Sequence, residues 1–456
     1  MIKKFLIFIL CLCSSRVILA ADLVSVFQQA LISDPTFQEA IAQRFSTRTG
    51  VPISVSALLP NISAQLSPNL TRSSFSGAFY RTDPETGAAL SPRSNTKRAY
   101  VFSLNLNQTV FNFAQFAAVA SQVATAKSAD ATLNAALQNL MIRVANAYFA
   151  ILKDEEDLRY GEATKRAFAQ QLQQIKQQYA VGLKTLTDVY TAQASYDSAA
   201  ARYIAGETQR NNDRENLRVL TGKYYTNLAK LGENFPLTTP YPAQIDRWVD
   251  IATAQNWSIK ASRHLVDAAR HNIKQQFAGH LPTVNIEASL SRTYALNINR
   301  YMSITSPEGP GTQVDRTIGL NVNIPIFSGG LVNAQTDQAV YNYQIAYQQF
   351  EKTFRDTINL TRQSYLGTVS GITQVQADRQ TIKSTTSALR GMEASYQAGT
   401  ETLVNVINQQ EKVFEAQSIY AKDRYNFVIN VLTLKQAAGT LGLDDLCAVN
   451  RWLVGE

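Results

Sequence analysis

Apolar and polar positions along this chain follow two periods, and each period predicts a different element. Four segments alternate with period two. Ile62, Ala64, Leu66 and Leu70 oppose Ser63, Gln65, Ser67, Asn69 and Thr71, and Tyr100, Phe102, Leu104 and Leu106 oppose Val101, Ser103, Asn105 and Asn107. Further on, Val284, Ile286, Ala288 and Leu290 oppose Thr283, Asn285, Glu287 and Ser289. Last, Ile318, Leu320, Val322, Ile324 and Ile326 oppose Thr317, Gly319, Asn321 and Asn323. Each run predicts a strand of roughly ten residues, the length of a tilted membrane strand. A half-buried strand of a soluble sheet alternates in the same way. Between the first two runs lies a polar stretch, 73–97, with Pro84, Gly87 and Pro92. Between the last two lies 297–315, with Pro307, Gly309, Pro310 and Gly311. Long hairpin loops of this kind belong to the external side of membrane barrels.

Elsewhere apolar residues recur in steps of three and four. Leu133, Leu137, Leu140, Val144, Tyr148 and Ile151 continue to Phe168, Leu172 and Ile175, and Phe350, Phe354, Ile358, Tyr365, Val369 and Ile372 form a second stripe. The stripes predict helices over about 112–179 and 331–396, each roughly 100 Å long at 1.5 Å per residue. Ordinary globular helices run three or four turns, so these are not core helices of a compact domain. Shorter partners are expected over 185–220 and 400–439, with 23–49 and 257–277 covering the remainder. The turns are expected at Val181-Gly182-Leu183 and Ala398-Gly399-Thr400, and the segments 223–247 and 441–456 are expected to lie around the middle of the helices.

The two sets are one set written twice. A shift of 217 places Tyr148 on Tyr365, Tyr179 on Tyr396, Gly182 on Gly399, Leu186 on Leu403 and Gly222 on Gly439. Upstream, Leu59-Pro60 matches Leu281-Pro282, and the offset changes inside the first polar loop. A self-similarity this long governs the whole fold. We therefore divide the chain into 1–20, 21–240 and 241–456, a leader and two structural repeats that share one wall.

The leader is a secretory signal: Lys3 and Lys4, an apolar run from Phe5 to Cys13, and a small-residue cut near Ala20. Cys11 and Cys13 leave with it, so Cys447 alone cannot form a disulfide within the mature chain. The formal charge falls from +8 to +5 once Lys3, Lys4 and Arg16 are removed, and the basic residues are dispersed. No nucleic-acid partner is expected. Charged residues make up only 17% of the chain, which points to surfaces that do not face bulk water. No later stretch reads as a transmembrane helix, because the longest uncharged run, 99–126, is broken by asparagines and glutamines.

Four strands cannot close a barrel, and open edges are not tolerated in lipid. The barrel must be shared between chains, eight strands in a dimer or twelve in a trimer. The same combination of export signal, strand pairs and long helical hairpins resembles the TolC family of outer-membrane channels of Gram-negative bacteria. The resemblance is carried by Val181-Gly182-Leu183 with Leu186-Thr187-Asp188-Val189, by Leu220-Thr221-Gly222-Lys223-Tyr224-Tyr225, and by Gly279-His280-Leu281-Pro282-Thr283. It continues through Pro325-Ile326-Phe327-Ser328-Gly329-Gly330 and Tyr425-Asn426-Phe427, covering nearly the whole mature chain. It implies an α+β membrane protein: four strands per chain in a trimeric twelve-stranded outer-membrane barrel, continued by a periplasmic coiled-coil barrel. It implies a homotrimer embedded in outer-membrane lipid. A periplasmic adaptor would join it to an inner-membrane transporter of the RND, ABC or MFS class, for drug efflux or type I protein secretion. No enzyme activity, cofactor, metal or catalytic residue is implied.

The resemblance also places a gate at the hairpin tips, at Asp188, Tyr396, Glu401, Asn405 and Asn408. Where the family's enterobacterial member has an arginine that holds the aspartate, this chain has Glu401, which would repel Asp188. Lys184 is the repeat counterpart of Glu401, and a Lys184–Glu401 contact between neighbouring hairpins is expected as a replacement, with Tyr396 bonding Asp188. That member has aspartates at the positions of Asn405 and Asn408, so weaker cation selectivity is expected here. Gly182, Leu183, Gly399 and Thr400 are the expected adaptor contacts. Other candidates carry less. His264 and His271 lie too far apart to converge on a metal. Asp154, Glu155, Glu156 and Asp157 read as a solvated helix face, and Gly329-Gly330 reads as a strand-to-helix turn. The alternative reading is an adhesive or structural surface stalk, which would not conduct ions.

Overall fold

The computed structural model describes residues 20–74, 81–82, 85–86, 89–90, 94–233, 235–297 and 311–454. The signal segment to residue 19 lies outside them, as do Pro84, Gly87, Pro92, Pro307, Gly309 and Pro310 of the two loops. The chain divides into two compact units, each drawing on both repeats. One holds 46–127 and 263–348; the other holds the chain up to Phe45, 128–262 and 349–456.

The first unit contains the sheet. Strands β1 (Asn61–Ser74), β2 (Ser94–Phe111), β3 (Thr283–Asn297) and β4 (Gly311–Asn323) pair antiparallel in the order β1-β2-β3-β4. The register brings the alternating faces together: Leu66 opposes Phe102, Leu104 opposes Leu290, and Ala288 opposes Ile318. The polar face aligns Ser63, Asn105, Ser289 and Thr317. The strands have 14, 18, 15 and 13 residues, longer than the alternation alone predicted, because their ladders continue into the polar hairpin arms. At the opposite end β4 stops at Asn323, whereas the pattern carried it to Ile326. The cause is proline on both sides of the ladder. Asn323 pairs with Thr283, and the next positions are Pro282 and, one past Ile324, Pro325, neither of which can donate an N–H. Ile326 and Phe327 are left 95% and 88% exposed. Within the chain, β1 and β4 each have one unpaired edge.

Helices dominate the second unit and make up most of the remainder of the first. The helix expected over 23–49 is two helices, α1 (Leu23–Ser33) and α2 (Pro35–Ser56). Pro35 disfavours helical geometry at Asp34 and is well placed as the first residue of the next helix. The Asp34 carboxylate then caps α2 by accepting from Phe37 N at 2.9 Å, and it pairs with Arg143 at 2.6 Å. The same break recurs 222 residues later. Asn256 separates α5 (Ile245–Gln255) from α6 (Trp257–Phe277) and accepts from Ser258 N and Ile259 N. Helix α5 occupies a stretch that showed no helical stripe.

The long helices are α3 (Phe113–Ala180) and α7 (Leu331–Gln397), with 68 and 67 residues. Their partners are α4 (Leu186–Thr221) and α8 (Leu403–Ala437), and α9 (Leu443–Asn450) follows. One apolar cluster joins them: Leu23 and Phe27 of α1, Tyr148 and Phe149 of α3, Leu217 of α4, Tyr425 and Phe427 of α8, and Leu446 of α9. Contrary to expectation, α3 includes a window long and apolar enough to cross a membrane, but half of that window is buried within the fold. The segment at 228–232 is bound from every side. Lys230–Leu231 pairs with Leu453–Val454, Leu228 bridges Ala21, Tyr148 Oη donates to Ala229 O at 2.7 Å, and Arg424 donates to the carbonyls of Leu231 and Gly232.

The acidic run is not a solvated face. Asp154 and Glu156 are 5% and 9% exposed. Glu156 accepts from Tyr425 Oη at 2.9 Å and lies 3.7 Å from Arg424, while Glu155 pairs with Arg214 at 2.9 Å. Asp154 accepts from Lys153 at 3.0 Å through Oδ1, its Oδ2 is buried without a hydrogen-bond partner among the described residues, and its carboxyl interacts with that of Asp213 on α4. The second hairpin repeats this arrangement: Asp378 of α7 accepts from Gln374 at 3.0 Å and faces Asp423 of α8. Asp213 and Asp423 each accept from an asparagine three residues on, Asn216 and Asn426. Relative to the 217-residue offset, Asp378 is seven residues late and Asp423 seven early. In antiparallel helices those shifts are equal steps toward the tip, so the facing pair moves one heptad without losing register.

Candidate functional site

The two hairpins turn by the same device. Helix α3 ends with Leu183 N donating to Gln178 O at 2.8 Å and Gly182 N to Tyr179 O at 2.9 Å; α7 ends with Thr400 N to Ser395 O and Gly399 N to Tyr396 O, both at 3.0 Å. These are paired Schellman closures, which place the C′ residue in the left-handed region. Gly182 and Gly399 occupy it at φ 77° and 79°, where a Cβ is strained. Leu183 is 72% exposed, and Gly399 and Thr400 are also exposed.

Each short helix then starts under a threonine cap, and the two caps place their carboxylates differently. In the first hairpin Thr185 and Asp188 form a reciprocal box. Asp188 N donates to Thr185 Oγ1 at 3.2 Å, and the Asp188 carboxylate accepts from Thr185 N at 2.9 Å. In the second hairpin the position of Asp188 is Asn405, which cannot supply that charge. The carboxylate comes instead from Glu401, one residue before the Thr402 cap. It accepts from Thr402 N at 3.1 Å and from Asn405 Nδ2 at 2.7 Å. The exchange of Lys184 and Asp188 for Glu401 and Asn405 therefore conserves one negative charge at each helix N-terminus, where the macrodipole favours it. Thr185 N and then the Thr185 hydroxyl hold the Asp188 carboxyl below the usual carboxylate range, with Lys184 adding attraction. Asn405 and then Thr402 N do the same for Glu401.

Within one chain Lys184 meets Tyr396 rather than Glu401: its ammonium lies 4.5 Å from the ring centroid. Within one chain, no hydrogen bond joins Tyr396 to Asp188 among the described residues. Asp188 is committed to Thr185, and Tyr396 Oη is buried without a partner among the described residues. Tyr396 packs against Leu403, Ile407, Leu389 and Val406, so its ring is fixed from both helices of its hairpin. Asn405 and Asn408 are both exposed. Sequence reasoning missed the caps Thr185 and Thr402. The Thr-x-x-Asp spacing of Thr185 and Asp188 was a sufficient signal for the first. Beside the tip, Ala169, Leu172, Gln173, Lys176, Gln177 and Ala180 of α3 line an open groove of about 420 Å³.

A family model described as outer membrane efflux protein matches residues 26–223 and 248–440. The chain is 33% identical over 441 residues to outer membrane protein TolC of Escherichia coli strain K12, covering 95% of this chain and 85% of that one. It is 26% identical over 429 residues to the alkaline protease secretion protein AprF of Pseudomonas aeruginosa, covering 94% and 86%. Among solved structures, the outer membrane protein VceC of Vibrio cholerae superposes with a TM-score of 0.74 at 20% identity, covering 91% of this chain and 96% of that one.

Proposed function

The chain belongs to the outer membrane efflux protein family, and we propose that it serves there as a passive exit duct for efflux and type I secretion. The observation that carries this reading is the sheet. Its four membrane-length strands leave β1 and β4 each with an open edge, which lipid does not tolerate. Three chains would supply twelve strands, and their polar face, Ser63, Asn105, Ser289 and Thr317, would line water. A twelve-strand barrel has room for a pore, whereas eight strands would be filled by side chains. The helical hairpins would continue the duct on the periplasmic side, where an adaptor would join them to an inner-membrane transporter. Nothing in this role calls for catalysis.

The hairpin tips are the proposed gate. Lys184 on Tyr396 links the two hairpins of one chain, a half-buried contact worth roughly 1 kcal/mol. Glu401 and Asp188 hold the starts of the short helices rather than each other. Asn405 and Asn408 leave the entrance without the carboxylate ring that would bind multivalent cations. Leu183, Thr400 and the groove beside Leu172 are the proposed adaptor contacts. Reconstitution in a planar bilayer tests the reading. A duct gives discrete ion-conducting steps; an adhesive or structural stalk gives none, and a silent bilayer with inserted protein would overturn the proposal.

A further inference from the structure

The strand register places four arginines on the apolar face of the sheet. Rows across β1, β2, β3 and β4 read Leu66–Phe102–Arg292–Val314 and Ala64–Leu104–Leu290–Arg316. Nearer the hairpin loops they read Pro68–Tyr100–Tyr294–Thr312, then Leu70–Arg98–Leu296, then Arg72 opposite Thr96. The acids of these strands, Glu287 and Asp315, lie in the opposite rows. All four arginines are exposed, and among the described residues none has an ion-pair or hydrogen-bond partner. They form two diagonal pairs. Arg72 and Arg98 lie on adjacent strands two residues out of step, as do Arg292 and Arg316, a spacing of about 7–8 Å that side chains bridge.

Their depth follows from the aromatic rows. Tyr100 opposes Tyr294 toward the loops, and Phe111 lies at the helix end, its ring 6.2 Å from Phe116. From Tyr100 to Phe111, at about 3.4 Å per residue and a tilt of about 40°, is roughly 28 Å along the membrane normal, near the ~25 Å apolar band between aromatic girdles. Arg98 and Arg72 therefore lie just outside the girdle on the loop side. Arg292 lies one row inside it and Arg316 two rows inside, within snorkelling reach for Arg292. A cation on a lipid-facing row is unfavourable unless an anion meets it. Guanidinium groups bind phosphate in two-point contacts, and the flanking tyrosines suit a sugar or glycerol headgroup.

We propose that Arg72, Arg98, Arg292 and Arg316 form a clamp on each chain for the phosphate groups of a phosphorylated glycolipid in the outer leaflet. The lipid packs its acyl chains on Leu66, Phe102 and Leu104 and its phosphates between the two arginine pairs. In the trimer the site repeats three times and ties the barrel to its own membrane leaflet.

The intact detergent-solubilised trimer tests this by native mass spectrometry with bis-phosphorylated lipid A, its dephosphorylated form, and inorganic phosphate as probes. The wild type should bind the phosphorylated form about tenfold or more tightly over the dephosphorylated form. Arg98→Gln with Arg292→Gln should abolish that ratio, and the double lysine variant should keep part of it. A wild type that binds both lipids equally overturns the proposal, as does an undiminished ratio in the glutamine variant. Displacement of the lipid by millimolar inorganic phosphate alone would make the site a free-phosphate site and also overturn it. Circular dichroism and channel conductance of the variants establish that they fold. Loss of lipid preference with conductance intact separates this proposal from the duct reading.

Discussion

Replacing Asp154 with asparagine should tighten the first hairpin at neutral pH and leave it unchanged in acid. Asp154 sits between α3 and α4 with its side chain 6% exposed. Burial and the facing Asp213 push its carboxyl up from 3.8 to about 6, with Lys153 opposing, and the partner Asp213 is held below the usual range. A raised folded-state value means that the stabilising protonated form is fully present below about pH 4 and is lost as pH rises through about 6. At about 1.4 kcal/mol per unit the Asp154 shift alone corresponds to roughly 3 kcal/mol. The lowered Asp213 offsets part of that, leaving about 1–2 kcal/mol of strain at pH 7.5. Asparagine keeps a donor toward Asp213 and removes the charge, and Lys153 retains Asp157 at 3.2 Å. Hydrogen exchange of the intact trimer, corrected for intrinsic rates, reads the effect in 150–158 and 209–217. The variant should be protected about tenfold more than wild type at pH 7.5 and equally at pH 4. Equal protection at both pH values, or weaker protection of the variant at pH 7.5, would refute the reasoning.

Other predictions concern the tips. Lys184→Glu removes the cation from the Tyr396 ring and sets a second carboxylate near Asp188; the resting channel should conduct more, and an unchanged single-channel current would count against the contact. Asn405→Asp with Asn408→Asp should create block by trivalent cations that the wild type lacks, measured in the same bilayer. Thr185→Ala should cost the first hairpin about 1 kcal/mol by loss of its N-cap, seen as faster exchange at the start of α4. Thr402→Ala should cost less, because its bond to Asn405 N is 3.4 Å and Glu401 still caps Thr402 N. Lowering the pH through the carboxylate range should fray the starts of α4 and α8, because Asp188 and Glu401 both titrate below their ordinary values and their capping is present only when ionised.

Most of the architecture was legible from periodicity. Polar and apolar residues alternate along Tyr100–Asn107, and apolar steps of three and four run from Leu133 to Ile175. Each states an element's type because burial of one face is a local property of the sequence. Gly182 and Gly399 announced their turns because only the left-handed conformation closes them, and Asp34-Pro35 could have announced the break in the first helix. The four strands also implied a shared barrel, since lipid forbids open edges.

Tertiary structure decided what periodicity is blind to, the identity of the group across the gap. A run of four acids reads as solvated, yet Asp154 and Glu156 are buried because Asp213, Arg424 and Tyr425 come from helices distant in sequence. Lys184 was matched by charge to Glu401; within one chain the fold sets Glu401 at a helix start and the ammonium over Tyr396. The arginines of β2, β3 and β4 join one face only through the register of the ladder. The sequence alone thus determined elements and their repetition, since these depend on neighbours along the chain. Pairings, burial and charge state required the fold, because electrostatic partners are chosen by distance in space.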